Sequence, residues 1–260
     1  ANCCYHTTYY HHEKLMDYPK EFEDDSMTWP QFILAKVLLS IGIAIAAFCL
    51  VLILISMFLD TWQQSTNKIN ENTDQLVLKV GLLGYKVHYI QNFTSENPVT
   101  STTGIKWWSK TVDLESTLEA DQRNKYAQVG TITFLCMFVP LIVLLLSIVS
   151  AVVAWIAFLN PDLTRMMAYA SWILMVISGL LTNIIAFGWF FFKPFKAQML
   201  VDVPGAATNH VIKTNFPYFG WTFVGTNVLG SLAFFGGVLI LVIPLVAKLL
   251  YHSRDDDDDF

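Results

Sequence analysis

The sequence predicts an all-α membrane protein, a bundle of four transmembrane helices with a small extracellular β-sheet in the first loop. Three observations predict it. Four apolar stretches, at about residues 32–59, 129–159, 166–192 and 219–250, each exceed the roughly 20 residues that a helix needs to cross a ~30 Å hydrocarbon core. None carries an Asp, Glu, Lys or Arg near its middle, and Lys36 and Lys248 lie close enough to an end for their amines to reach the headgroups. Between the first two stretches, the run QLVLKVGLLGYKVHYI at 75–90 alternates apolar and polar residues as strands do.

Composition agrees. The chain has 260 residues, 54% of them hydrophobic, and its net charge of -5 is spread over the segments outside the apolar stretches, leaving no basic face for nucleic acid. The first 26 residues are polar, aromatic and acidic, so no cleavable signal is expected and helix one serves as its own insertion signal. Of the four cysteines, Cys3 and Cys4 stand in the N-terminal tail and Cys49 and Cys136 in helices, so no disulfide can staple the long loop.

Taken in order, the expected parts are a tail at 1–31, a membrane domain at 32–251 and an acidic tail at 252–260. The membrane domain includes a large loop at 60–128 and a second at 193–218. In the large loop Gly81 and Gly84 bracket a junction between two strands, or within one bent strand, while Trp62 and the pair Trp107 and Trp108 supply large rings to cover it. The charged, helix-prone stretch at 117–125 extends helix two beyond the bilayer. Pro140 and Pro244 each bend their helix. Asn160, Pro161 and Asp162 make an N-cap, a first-turn proline and an acid on the positive end of helix three, which makes helices two and three a tight hairpin. Lys193 and Pro194 end helix three.

Four spans place both tails on one side. Arg165 on the tail side is balanced by Lys193 and Lys196 on the other, so basic residues leave the orientation nearly tied. Asn92, followed by Phe93 and Thr94, is the usable glycosylation sequon, and it favours a large loop outside the cell with both termini cytoplasmic, in the plasma membrane.

The layout resembles the superfamily of claudins, peripheral myelin protein relatives and calcium-channel gamma subunits. Trp62 after helix one matches the first Trp of its loop motif, and Gly81 with Leu82 matches the Gly-Leu, although Leu83 stands where the motif has Trp. Phe219-Gly220-Trp221 and the pair Gly236 and Gly237 resemble claudin patterns near helix four. The paired loop cysteines of that superfamily are absent. The resemblance implies a four-helix fold with cytoplasmic ends, an outer β-lobe carrying Trp62, Gly81, Leu82, Gly84, Tyr85, Trp107 and Trp108, and roles in adhesion, membrane organisation or channel modulation.

Small residues recur along the helices, among them Gly42 and Ala46 in helix one and Thr226, Gly230 and Gly237 in helix four. In lipid this spacing allows close backbone approach, within the bundle or to a partner helix. Asn183 and Asn227 are strongly polar side chains deep in the membrane, read as interhelical hydrogen-bonding groups. Cys3 and Cys4 are acylation candidates set against plain cytosolic thiols, and with His6, His11 and His12 they lack the ordered spacing of a metal site. The acidic run ending in Asp258, Asp259 and Phe260 reads as a solvated tail, or as a motif for a cytoplasmic domain that captures a terminal carboxylate and an apolar side chain. No nucleophile–base set, phosphate loop or metal-ligand pair is apparent, so no catalytic residue, metal or cofactor is expected. The expected function is a non-enzymatic tetraspan that associates laterally in lipid with itself or a larger multi-span protein and presents its lobe for adhesion or membrane organisation. An auxiliary subunit of an ion channel or receptor, and an oligomeric pore-forming subunit, are the alternatives.

Overall fold

The computed structural model describes residues 29–68, 74–91, 99–102, 106–107, 120–157, 161–193, 196–201, 210–215 and 219–255. Asn92, Trp108, Cys3, Cys4, Asp258 and Phe260 lie outside them.

Four long helices dominate: α1 (Trp29–Phe58), α2 (Ala120–Ile156), α3 (Pro161–Phe192) and α4 (Trp221–Asp255). Each contains a stretch long and apolar enough to cross a membrane. α3 starts at Pro161, whose fixed φ suits a first turn, and Thr164 closes the hairpin by donating to the Ala157 carbonyl at 2.7 Å. α2 begins well before its apolar stretch, as its charged first turns require in water.

The segment between α1 and α2 holds a five-stranded antiparallel sheet: β1 (Gln63–Lys68), β2 (Asp74–Val80), β3 (Gly84–Gln91), β4 (Val99–Thr102) and β5 (Lys106–Trp107). β3 pairs with β2 on one side and with β4 and β5 on the other. A hairpin, β6 (Lys196–Val201) with β7 (His210–Asn215), fills the second loop. The run at 75–90 is therefore two strands. Gly81 N–H bonds Gly84 C=O at 2.8 Å to close the turn between them.

Register gives the sheet two unlike faces, because successive side chains alternate. Ser65, Leu78, Val80 and Tyr85 share one parity with Gln63, and all are buried. Gln64, Lys79, Lys86 and His88 share the other and are partly buried, with the buried Val77 among them.

The bundle core has two centres. Toward the sheet, Ile53, Met57, Trp62, Leu82, Met137, Leu144, Trp189 and Phe223 pack together. Toward the opposite end, Leu38, Leu39, Ala151, Ala154, Ala168, Trp172 and Ile240 form the second. Small residues bring the helices close: a Cβ on Gly179 would lie 2.5 Å from the Gly230 carbonyl, and one on Gly237 would lie 3.1 Å from the Trp172 carbonyl. Hydroxyls use the same proximity, with Ser147 donating to Ser171 C=O at 2.8 Å and Ser178 to Pro140 C=O at 2.8 Å. The outer sides of the helices present Ile132, Ile142, Ile184, Phe235 and Leu239, as a surface solvated by lipid tails does.

Candidate functional site at the sheet–bundle junction

α1 ends at Phe58, Asp60 closes its apolar run, and the chain turns through Thr61 into Trp62. Trp62 is fully buried, and its indole N–H donates to the Ser56 carbonyl at 2.7 Å, satisfying one of the last carbonyls of α1. Its ring meets Trp189 of α3 at 5.4 Å and Phe223 of α4 at 6.4 Å, both edge-to-face. Phe219 stacks on Phe223 at 5.1 Å and meets Phe190 at 4.9 Å, which completes an aromatic layer beneath the sheet.

The entry to α4 runs beside this turn as a short antiparallel bridge between Gln63 and Phe219. Gly220 N–H bonds Trp62 C=O at 3.0 Å, and Thr222 N–H bonds Thr61 C=O at 3.1 Å. The Thr61 and Thr222 hydroxyls bond each other, and Thr226 donates to Ser56 Oγ at 3.0 Å. Only glycine fits at 220, since a Cβ there would lie 1.8 Å from the Thr61 carbonyl oxygen.

From the other side, the turn at 81–84 drives Leu82 into the core, where it is fully buried. Two close approaches make this fit. A Cβ on Gly81 would lie 2.6 Å from the Leu59 carbonyl oxygen, and one on Gly130 of α2 would lie 2.2 Å from the Leu82 carbonyl oxygen. Lys86 pairs with Asp60 at 3.8 Å across the same seam. Sheet, α1, α2 and α4 are thus joined at one locus.

Lys193, directly after α3, is buried with its ammonium over the Trp189 ring at 4.6 Å and the Phe190 ring at 4.7 Å. Burial lowers its pKa from 10.5 to about 7, while the two ring faces favour the charged form. His88 is likewise pushed below its ordinary range, by burial first and then by Lys79 and Lys86, with Asp60 opposing them.

Trp62 and Leu82 are buried in the bundle core, and Tyr85 is buried on the same sheet face as Leu78 and Val80. Trp107 lies in β5, paired with Gly84. In the helices, Asn183 donates to Ser231 Oγ across the α3–α4 contact at 3.3 Å, and Asn227 donates back to Phe223 C=O of its own helix at 2.9 Å. Gly230 faces Asn183 and Gly237 faces Val176, while Gly42 touches Ile240 and Ala46 is in the core, so all four are used between helices of the same chain. Gly188 and Gly225 have open space where a Cβ would stand. Gly130 and Lys193 had no place in the sequence-based site, and Gly220 entered the sequence reading only as part of a claudin-like pattern. The signals available were the glycine at an otherwise β-branched and apolar helix entry and a lysine adjoining a Trp-Phe-Phe-Phe run.

No protein-family model matches the chain, and no curated protein matches it in sequence.

Proposed function

We propose that this four-span membrane protein is a non-enzymatic, claudin-like tetraspan, which associates laterally with other copies and presents its β-lobe outside the cell for adhesion or membrane organisation. The observation that carries the reading is the junction. Leu82 inserted beside Gly130 and the Trp62–Gly220 bridge fix the lobe to three helices, so lobe and bundle present one rigid shape. Rigidity of that kind serves recognition, because little ordering cost remains when a partner binds. The spans also lack ionisable groups at depth, which pumps and proton relays require. Support for the superfamily likeness comes from Trp62, the Gly81-Leu82 turn and Gly220, which meet at one place.

Purification in mild detergent with measured mass and composition tests it. A homo-oligomeric series is expected. Co-purification of a larger multi-span protein would favour the auxiliary-subunit reading instead. Turnover or solute movement by the isolated single chain would overturn both.

A further inference from the structure

We propose that Lys79 and Lys86 together bind the phosphate of a lipid headgroup in the leaflet beneath the sheet. The site needs only the four spans and one chain, so it stands apart from the reading of self-association.

Depth comes first. The apolar span of α1 closes at Phe58, and Asp60 follows two residues later. Headgroups occupy about 5–7 Å beyond the hydrocarbon in each leaflet, so Asp60 stands among them. The tip of the β2–β3 hairpin is fixed at the same level. A Cβ on Gly81 would lie 3.0 Å from the Asp60 Cα, and Leu82 is buried in the bundle core. Lys79 and Lys86 form the second rung from that tip, after Val80 and Tyr85. Lys86 Nζ is 3.8 Å from Asp60 Oδ2, which brings the amine itself to the level of the phosphates.

Charge and spacing then define the ligand. Lys79 and Lys86 stand directly opposite each other, where like charges repel unless an anion joins them. Directly opposite residues carry their Cβ atoms about 4.5–5.5 Å apart, so two long amines can converge on one phosphate. The positions of β2 and β3 that share this face are Gln75, Val77, Lys79, Lys86, His88 and Ile90, none of them acidic. Asp60 supplies a single carboxylate against two ammoniums, and at 3.8 Å it lies beyond hydrogen-bonding distance of Lys86. Both lysines and Asp60 act electrostatically on His88, so the charges share one neighbourhood. The Lys86 side chain is 29% exposed and that of Asp60 22%, which suits a small anion better than the face of another protein.

The test incubates the detergent-purified full chain with phosphatidylglycerol or phosphatidylcholine and counts retained lipid by native mass spectrometry. Wild type is expected to retain phosphatidylglycerol in preference. Lys79→Gln with Lys86→Gln should cut that retention at least about tenfold, since each lysine near an anionic surface contributes roughly fivefold. Asp60→Asn should raise it about fivefold, a direction that damage to the fold does not produce. Equal retention of the two lipids by wild type overturns the proposal, and so does undiminished retention in the double variant. Should the double variant unfold, Asp60→Asn decides, and retention that does not rise overturns the site. Inorganic phosphate that binds wild type but not the double variant, with no preference between the lipids, would give the site to a free anion and overturn the lipid assignment.

Discussion

At the scale of single residues, the junction depends on three glycines whose missing side chains admit a backbone. Gly220→Ala is expected to cost about 1–3 kcal/mol, because the Thr61 carbonyl occupies the site of the new methyl. Gly188→Ala, with nothing within 4 Å of a Cβ, is the control and should leave the thermal midpoint unchanged or slightly raised. Leu82→Ala should cost about 2–5 kcal/mol by emptying a filled core position. Thermal unfolding in detergent reads all three. Lys193 gives a pH signature. Its folded pKa of about 7 lies below the ordinary 10.5, so the unfolded chain holds the proton more tightly. Stability should therefore rise with pH across that interval, be complete above 10.5 and be lost as pH falls through about 7. Lys193→Met should flatten the slope, and an unchanged slope would assign the pH dependence to another group.

At the scale of elements, legibility followed periodicity. The four helices were readable because an unbroken apolar run leaves few alternatives in lipid. β2 and β3 were readable because Leu76, Leu78 and Val80 alternate with polar residues. β1 was not, since its sequence QQSTNK has no apolar alternation, and its Gln63 and Ser65 are buried polar residues held by tertiary packing. β4, β5 and the β6–β7 hairpin are short or mixed in character and gave no comparable pattern. The site was legible only as a set of residue types. Trp62 and the Gly81-Leu82 turn stood out, but their burial depends on Gly130 and Gly220, distant in sequence. The helix-packing glycines carry an element-scale expectation. Gly230→Leu or Gly237→Leu collides with Asn183 or Val176 within the chain. Either change should loosen the α3–α4 contact and lower the unfolding midpoint of the monomer itself. A loss of association at unchanged monomer stability would show that these positions serve a partner helix instead.

At the scale of the whole molecule, aromatic residues mark where water gives way to lipid. Trp221 at the start of α4 is 82% exposed, whereas Trp62, a few residues beyond α1, is fully buried. An exposed indole at a helix end belongs at the headgroup level. In bilayers containing shallow-brominated lipids, Trp221→Phe should therefore remove a large share of the quenchable fluorescence, and Trp62→Phe should not. Equal quenching of both would shift the bilayer relative to the bundle. The opposite end carries a matching mark, with Lys36 at 5.2 Å over the ring of Trp155.

The footing of the lobe is scattered through the chain, at Thr61, Leu82, Gly130 and Gly220. Transplanting residues 60–128 alone onto a foreign four-span scaffold would leave behind the glycine at 220 that receives it. A functional graft must carry that distant position along, so this lobe is inherited together with its membrane anchor and does not travel as a separate cassette.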